Sequence, residues 1–286
     1  MGIIFILISG ASFGLLPWFA RTAYDHGTEP LGMLAVRFTF ASVVLLAIQG
    51  FRFKKITLPS KKLGLQLFLL GAVGYAPQAT FFFFGVERID TSLATVIFYT
   101  YPGFVVLASW AVFRHRPSMR MTVCLVVAVL GTALTAGQIS AGSGLGVALM
   151  FGASIWYTGY ILVSSKIAGQ SGAFVSLTYV MVGAAFSHLI LLALLQPSLP
   201  QDTTGWLAVF AAAIISTVVA MGFFFAGVSR IGPGEAAVFS TIEPVVSIAV
   251  GVFALNETIT TTRVVGALCV LVSVAVLAQL SRADTK

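Results

Sequence analysis

Between Gly2 and Leu280 the chain is a succession of apolar runs of about twenty residues, broken only by short polar stretches. A run of that length crosses the hydrocarbon core of a bilayer as a helix, the one open-ended structure that satisfies its own backbone in lipid. Ten such spans fit the pattern, at about 2–20, 31–50, 63–86, 91–113, 120–137, 144–164, 173–195, 205–228, 234–255 and 262–280. Of 286 residues, 58% are hydrophobic and 9% charged, with a mean hydropathy of +1.02, so almost nothing remains for a soluble domain. The expected fold class is an all-α, multi-pass membrane protein of ten transmembrane helices, with the bilayer as its first partner. The first run has no basic segment before it and is too long for a signal-peptide core, so it reads as a retained helix.

The net charge of +7 has a topological reading rather than a nucleic-acid one. Of sixteen Lys and Arg residues, twelve fall in loops on the N-terminal side, from Arg52 to Lys286. Only Arg21, Arg88 and Arg263 fall on the other side, and Arg37 lies within a span. The positive-inside rule then puts both termini in the cytoplasm, which an even number of spans permits. The expected location is the plasma membrane, the inner membrane in a bacterium. Cys124 and Cys269 sit mid-span among aliphatic residues, and no metal-binding spacing surrounds them.

One offset, 142 residues, relates several short matches. Gly10-Ala11-Ser12 recurs as Gly152-Ala153-Ser154, Phe81-Phe82-Phe83 as Phe223-Phe224-Phe225, Gly85-Val86 as Gly227-Val228, Arg88-Ile89 as Arg230-Ile231, and Pro102 as Pro244. A duplication follows, residues 1–138 and 144–280 with a cytoplasmic tail at 281–286. Five spans per half is odd, so the second copy is expected upside down relative to the first. Inverted repeats recur in secondary transporters, whose substrate site lies near the midplane where broken helices of the two halves meet. Pro102 and Pro244 are the expected hinges.

Ser240-Thr241-Ile242-Glu243-Pro244 places a carboxylate inside an apolar span, where a charge needs a partner or a wet cavity. Ala236, Ser240, Glu243 and Ser247 share one helical face, a stripe that suits either a cavity wall or helix packing. In the fourth span the corresponding face offers Ala94, Phe98, Tyr101 and Val105, with Tyr99 close by. Trp156, Tyr157 and Tyr160 form an aromatic set in the sixth span, and Tyr75 and Gln78 flank Pro77 in the third. The substrate-binding candidates are Glu243, Ser240, Ser247, Tyr99, Tyr101, Trp156, Tyr160, Tyr75 and Gln78. Arg37 lies ~9 Å below the outer surface by helical rise, shallow enough to snorkel outward. Two pairings are open to it, with Glu243 or with Asp90 or Glu257 at the outer rim; Glu243 and Arg37 are the candidates for proton coupling or an ion pair.

Gly10-Ala11-Ser12-Phe13-Gly14 fits the G-x-S-x-G pattern of serine hydrolases, with His188 in another span. The nucleophile elbow requires a strand, a turn and a helix, whereas this match lies inside one helix and reads more simply as a Gly-x-x-x-Gly contact. No HExxH, paired aspartates, Walker loop or dinucleotide fingerprint occurs, so neither catalytic residues, a metal nor a cofactor is expected. A serine-type intramembrane enzyme and a passive channel or scaffold stand as the alternatives to transport.

The motifs Gly85-Val86-Glu87-Arg88-Ile89 with Tyr101-Pro102, then Gly227-Val228-Ser229-Arg230-Ile231, Glu243-Pro244 and Leu255-Asn256-Glu257 with Val265-Gly266-Ala267, come in an order that resembles the EamA-type transporters of the drug/metabolite superfamily. Arg37 also stands where that family commonly has an arginine. The resemblance covers essentially the whole chain. It implies ten helices in two EamA domains and export, less often import, of a small metabolite such as an amino acid, an amino-acid derivative or an organic cation; protons are a candidate coupling ion on account of Glu243. Phosphorylated cargo is disfavoured, because Arg37 is the single basic group within a span. In the first half Arg114-His115 replaces the Gly-Glu type ending that Asn256-Glu257 retains; an acid that caps or orients the following helix is therefore absent there.

Overall fold

Among the described residues of the computed structural model the long apolar runs are helical, and several are interrupted along their length. The structure describes all residues except 52–57, 102, 106, 109–118, 137–143, 168–169, 232–235, 237–238, 241, 259 and 284–286. Among the described residues there is no strand, and the helices are α1 (Gly2–Asp25), α2 (Pro30–Phe51), α3 (Lys61–Arg88), α4 (Thr91–Phe98), α5 (Met119–Ala136), α6 (Gly144–Ile167), α7 (Ala173–Leu195), α8 (Thr203–Ile231), α9 (Ile242–Leu255) and α10 (Thr261–Ala283). Six of them, α1, α2, α3, α6, α7 and α8, are long and apolar enough to cross a membrane. The apolar helical stretches in α5, α9 and α10 are shorter.

Exchange of the two halves leaves the pattern of neighbours unchanged. α1 packs along α8 as α6 packs along α3, and α1 meets α9 as α6 meets α4. α2 pairs with α7, α5 with α10 and α4 with α9. α1 and α8 run antiparallel: Gly2 sits against Arg230 and Ile231 while the Ser12 carbonyl accepts from Ser216 Oγ at 2.5 Å. Gly146 sits against Arg88 and Ile89 in the same way. These contacts equate Gly2 with Gly146 and Ile6 with Met150, an offset of 144, while Gly85 and Gly227 keep the offset of 142. In the first helix of each half the structural register is therefore two residues longer than the Gly-Ala-Ser match suggests.

Two kinds of interruption shape the long helices. In α1 the ladder breaks at Leu15, just before Pro17, whose ring nitrogen cannot donate. In α3 and α8 the ladder loosens into π-helical turns, Leu70–Tyr75 and Ile214–Val219. Pro77 follows the first of these, and the indole of Trp156 donates to the exposed carbonyls of Val73 at 3.3 Å and Gly74 at 2.9 Å. In the second, the Thr217 hydroxyl donates back to Ala212 at 3.1 Å. Such turns are frequent at functional sites.

The loop after α1 is tied to the loop before α8. The Glu29 N–H donates to the Ser198 carbonyl at 3.0 Å and the Gln201 N–H to the His26 carbonyl at 3.3 Å. Asp202 caps α8 by accepting from the Gly205 N–H at 2.9 Å, and its other oxygen meets His26 Nδ1 at 2.6 Å. The Gly205 N–H, and after it His26, hold the Asp202 carboxyl below its ordinary value.

Candidate functional site

The two breaks that matter to the site lie in α4 and before α9. α4 ends at Phe98, turns at Tyr99 and Thr100, and resumes a helical path at Tyr101. Ser240 is the matching turn, after which α9 starts at Ile242 with Glu243 and Pro244 in its first turn, where a proline costs no hydrogen bond. The expected hinge Pro102 lies outside the described residues; Pro244 follows the turn at Ser240 rather than kinking a continuous helix.

The sixth helix completes the first break. Ser154 Oγ lies within donating reach of two carbonyls at the break, Phe98 at 2.7 Å and Ile97 at 3.2 Å, and Thr100 Oγ1 also donates to Ile97, at 2.7 Å. At the second break the equivalent neighbour on α1 is Gly10, whose missing side chain lets α1 lie against Ser240 and Ile242. One turn on, a methyl group added at Gly14 would stand 2.6 Å from the Glu243 carbonyl oxygen. The glycines of the G-x-S-x-G match thus serve close helix packing. Ser12 and His188 do not meet: His188 Nδ1 lies 2.9 Å from the Ala184 carbonyl and Nε2 3.1 Å from Thr80 Oγ1. With Nδ1–H given to that carbonyl, Nε2 is the acceptor.

Between the breaks is a cavity of about 120 Å³ whose wall draws on both halves. Phe13 and Leu16 come from α1, Arg37 from α2, Tyr75, Gln78, Ala79, Phe82 and Phe83 from α3, and Phe98, Tyr99 and Tyr101 from the α4 break. Tyr157 comes from α6, Met221 from α8 and Glu243 from α9. Glu243 is half-buried, and the Tyr99 hydroxyl faces its carboxyl. The rings form a connected set: Tyr101 meets Phe98 at 5.4 Å and Tyr157 at 4.9 Å, and Tyr157 stacks on Tyr160 at 5.6 Å.

Of the residues singled out in the sequence, Glu243, Tyr99, Tyr101, Tyr75, Gln78 and Arg37 lie together in this wall. Ser240, Ser247, Trp156 and Tyr160 do not. Ser240 Oγ donates to the Ala236 carbonyl at 2.8 Å, and Ser247 bonds Thr95 at 2.7 Å where α9 packs on α4, so these two serines of the stripe are satisfied outside the cavity while Glu243 lines it. Trp156 is 42% exposed on the outer face, where it serves the Val73 and Gly74 carbonyls. Tyr160 lines a second, apolar groove between α3 and α6, of about 560 Å³. Tyr157 is the member of the sixth-span aromatic set that reaches the central cavity.

Arg37 corrects both pairings expected for it. It does not snorkel outward; it is 1% exposed. Among the described residues no carboxylate lies within 4 Å of its guanidinium, Glu243 included. Nε instead donates to Thr217 Oγ1 at 3.0 Å, inside the π turn of α8. No clue in the sequence marks Thr217 as that partner. Glu257 departs from expectation too, capping α4 across the halves rather than the helix that follows it.

Paired broken helices around a cavity, with several apolar spans and no strand among the described residues, fit a multi-pass membrane transporter. The chain belongs to the EamA-like transporter family, whose model matches residues 1–137 and again 144–279. It is 25% identical to an uncharacterized transporter of Synechocystis sp. over 68% of this chain and 61% of the relative, less than two thirds of that protein's length. An uncharacterized transporter of Bacillus subtilis, YcbK, is 22% identical over 93% of this chain and 88% of the relative. An uncharacterized inner membrane transporter of Salmonella typhimurium, YicL, is 26% identical over 86% and 84%. A solved crystal structure covering 100% of this chain and 99% of its own has a TM-score of 0.71 at 16% identity, which speaks to the fold alone.

Proposed function

We propose that the chain is a secondary transporter, working as an exporter of a small amphipathic metabolite, with Glu243 as the group that binds an amine or couples transport to protons. The observation that carries this reading is the one carboxylate that the described residues bring to the cavity wall, set by the second half against Tyr75, Tyr99 and Tyr101 of the first. Aromatic faces and a carboxylate suit a solute with a cationic and an apolar part. In this reading the ten spans form two inverted five-helix halves, residues 1–138 and 144–280, with both termini in the cytoplasm. The halves rock about the breaks near Tyr99 and Ser240, alternately opening the cavity to each side. At about 120 Å³ the cavity is smaller than the roughly 300–1,000 Å³ of common ligand sites, so admission of a metabolite requires that the halves part.

The test is flux in reconstituted vesicles loaded with a panel of labelled amino acids and organic cations. Glu243→Gln is expected to fold in detergent and to lose either pH-dependent flux or recognition of amines. Full pH-dependent flux by that variant would sink the assignment.

A further inference from the structure

The guanidinium of Arg37 is the cation of the cavity wall, and among the described residues no carboxylate pairs with it. It is the largest of the fully buried side chains, yet it borders the cavity. Its placement is heavily determined. Phe38 and Phe83 hold their ring centres 5.1 Å and 5.3 Å from Cζ. Thr217 gives its hydroxyl proton to Ala212, which leaves the Thr217 oxygen a lone pair for Nε. The Tyr75 hydroxyl lies alongside. Thr217 accounts for one of the five N–H donors that a guanidinium carries, and the neighbouring phenol and ring faces offer partial compensation. A fixed cation in a membrane interior, with donors left over at a cavity, is matched by an anion that arrives through the cavity.

We infer that Arg37 is an anion subsite that takes the carboxylate of the solute, end-on through its outer N–H groups. This rests on the reading of the cavity as the solute site, and it deepens it: the solute carries a single carboxylate, and a zwitterion would place its amine at Glu243 on the same wall. One guanidinium matches one negative charge, so a carboxylate is compensated where a phosphate dianion is not. An organic cation without an acid group would leave Arg37 unmatched.

Benzoate and benzamide are the probes, alike in shape and different in charge. Added to the purified full chain in detergent, benzoate is expected to raise the unfolding midpoint in a saturable way and benzamide is not, because a ligand of the folded state stabilises by mass action. Arg37→Gln is expected to abolish the benzoate shift, and Arg37→Lys to retain a weaker one. Should Arg37→Gln fail to fold, Thr217→Val keeps the charge and removes what orients it, and a smaller benzoate shift than in the unaltered chain is expected. Equal responses to the two probes, or an unchanged benzoate shift in Arg37→Gln or Thr217→Val, would overturn the subsite. These shifts read binding without flux, so the subsite can fail while the Glu243 assignment stands, and the reverse.

Discussion

Glu257, just beyond the end of α9, caps Thr91 at the start of α4: its Oε1 accepts the Thr91 N–H at 2.6 Å and the Thr91 hydroxyl at 2.6 Å. Oε2 takes the Ser92 hydroxyl at 2.5 Å and the Ser92 N–H at 3.1 Å. Asn256 makes this reach possible by adopting φ 54°, which turns the chain as the helix ends. An acid at a helix N-terminus meets both free N–H groups and the positive end of the dipole. Glu257→Ala is expected to cost on the order of 1–3 kcal/mol, with Glu257→Gln costing less because one carbonyl acceptor survives. Denaturant titration of the detergent-solubilised protein checks it; equal stability of the two variants and the unaltered chain would refute the cap.

Asp202 supplies a pH-dependent contribution outside the membrane. Its carboxyl is held below the ordinary 3.8 by the Gly205 N–H and by His26. A group with a depressed folded value adds stability that is complete above the unfolded value and fades as pH falls through the folded one. Between pH 5 and 3 the unaltered chain is therefore expected to lose more thermal stability than Asp202→Asn, and parallel melting curves of the two would contradict this.

Trp156 is expected to matter for stability rather than for selectivity. Trp156→Phe keeps an aromatic ring on the outer face and leaves the Val73 and Gly74 carbonyls without their donor, where lipid supplies none. A loss of about 1–3 kcal/mol is the expected size. The Michaelis constant for a transported solute should stay the same, and a changed constant with unchanged stability would point to contact with the solute.

Gly14 and Ser12 make opposite predictions from one motif. Gly14→Ala pushes a methyl against the Glu243 carbonyl and Val246, an overpacking of about 1–3 kcal/mol that should also impair flux, because it displaces the break that carries Glu243. Ser12→Ala should leave flux unchanged. Loss of a covalent serine-probe adduct on Ser12→Ala is the result that a serine-enzyme reading requires.

The long apolar helices were legible because hydrocarbon thickness imposes its length on the sequence. The cavity was legible in part: Glu243, Tyr99, Tyr101, Tyr75 and Gln78 stand out as polar or aromatic groups beside prolines in apolar runs. Ser240 and Ser247 stand out equally, since a small polar stripe looks the same whether it faces a cavity or another helix. The π turns had no such mark. Leu70–Tyr75 and Ile214–Val219 are ordinary apolar stretches, and they carry backbone or hydroxyl partners for Trp156 and Arg37 that no spacing rule proposes. Glu257 could be read as a capping residue, but only the fold reveals that the helix it caps belongs to the other half.

Ser154 and Gly10 hold equivalent posts beside the two breaks, one with a hydroxyl on two carbonyls and one with no side chain at all. Two identical halves would hold their breaks alike. Among the described residues the α4 break is tethered by a hydroxyl while the α9 break is abutted by a bare glycine, so the two are held unequally, and the carboxylate stands on the side with fewer side-chain ties.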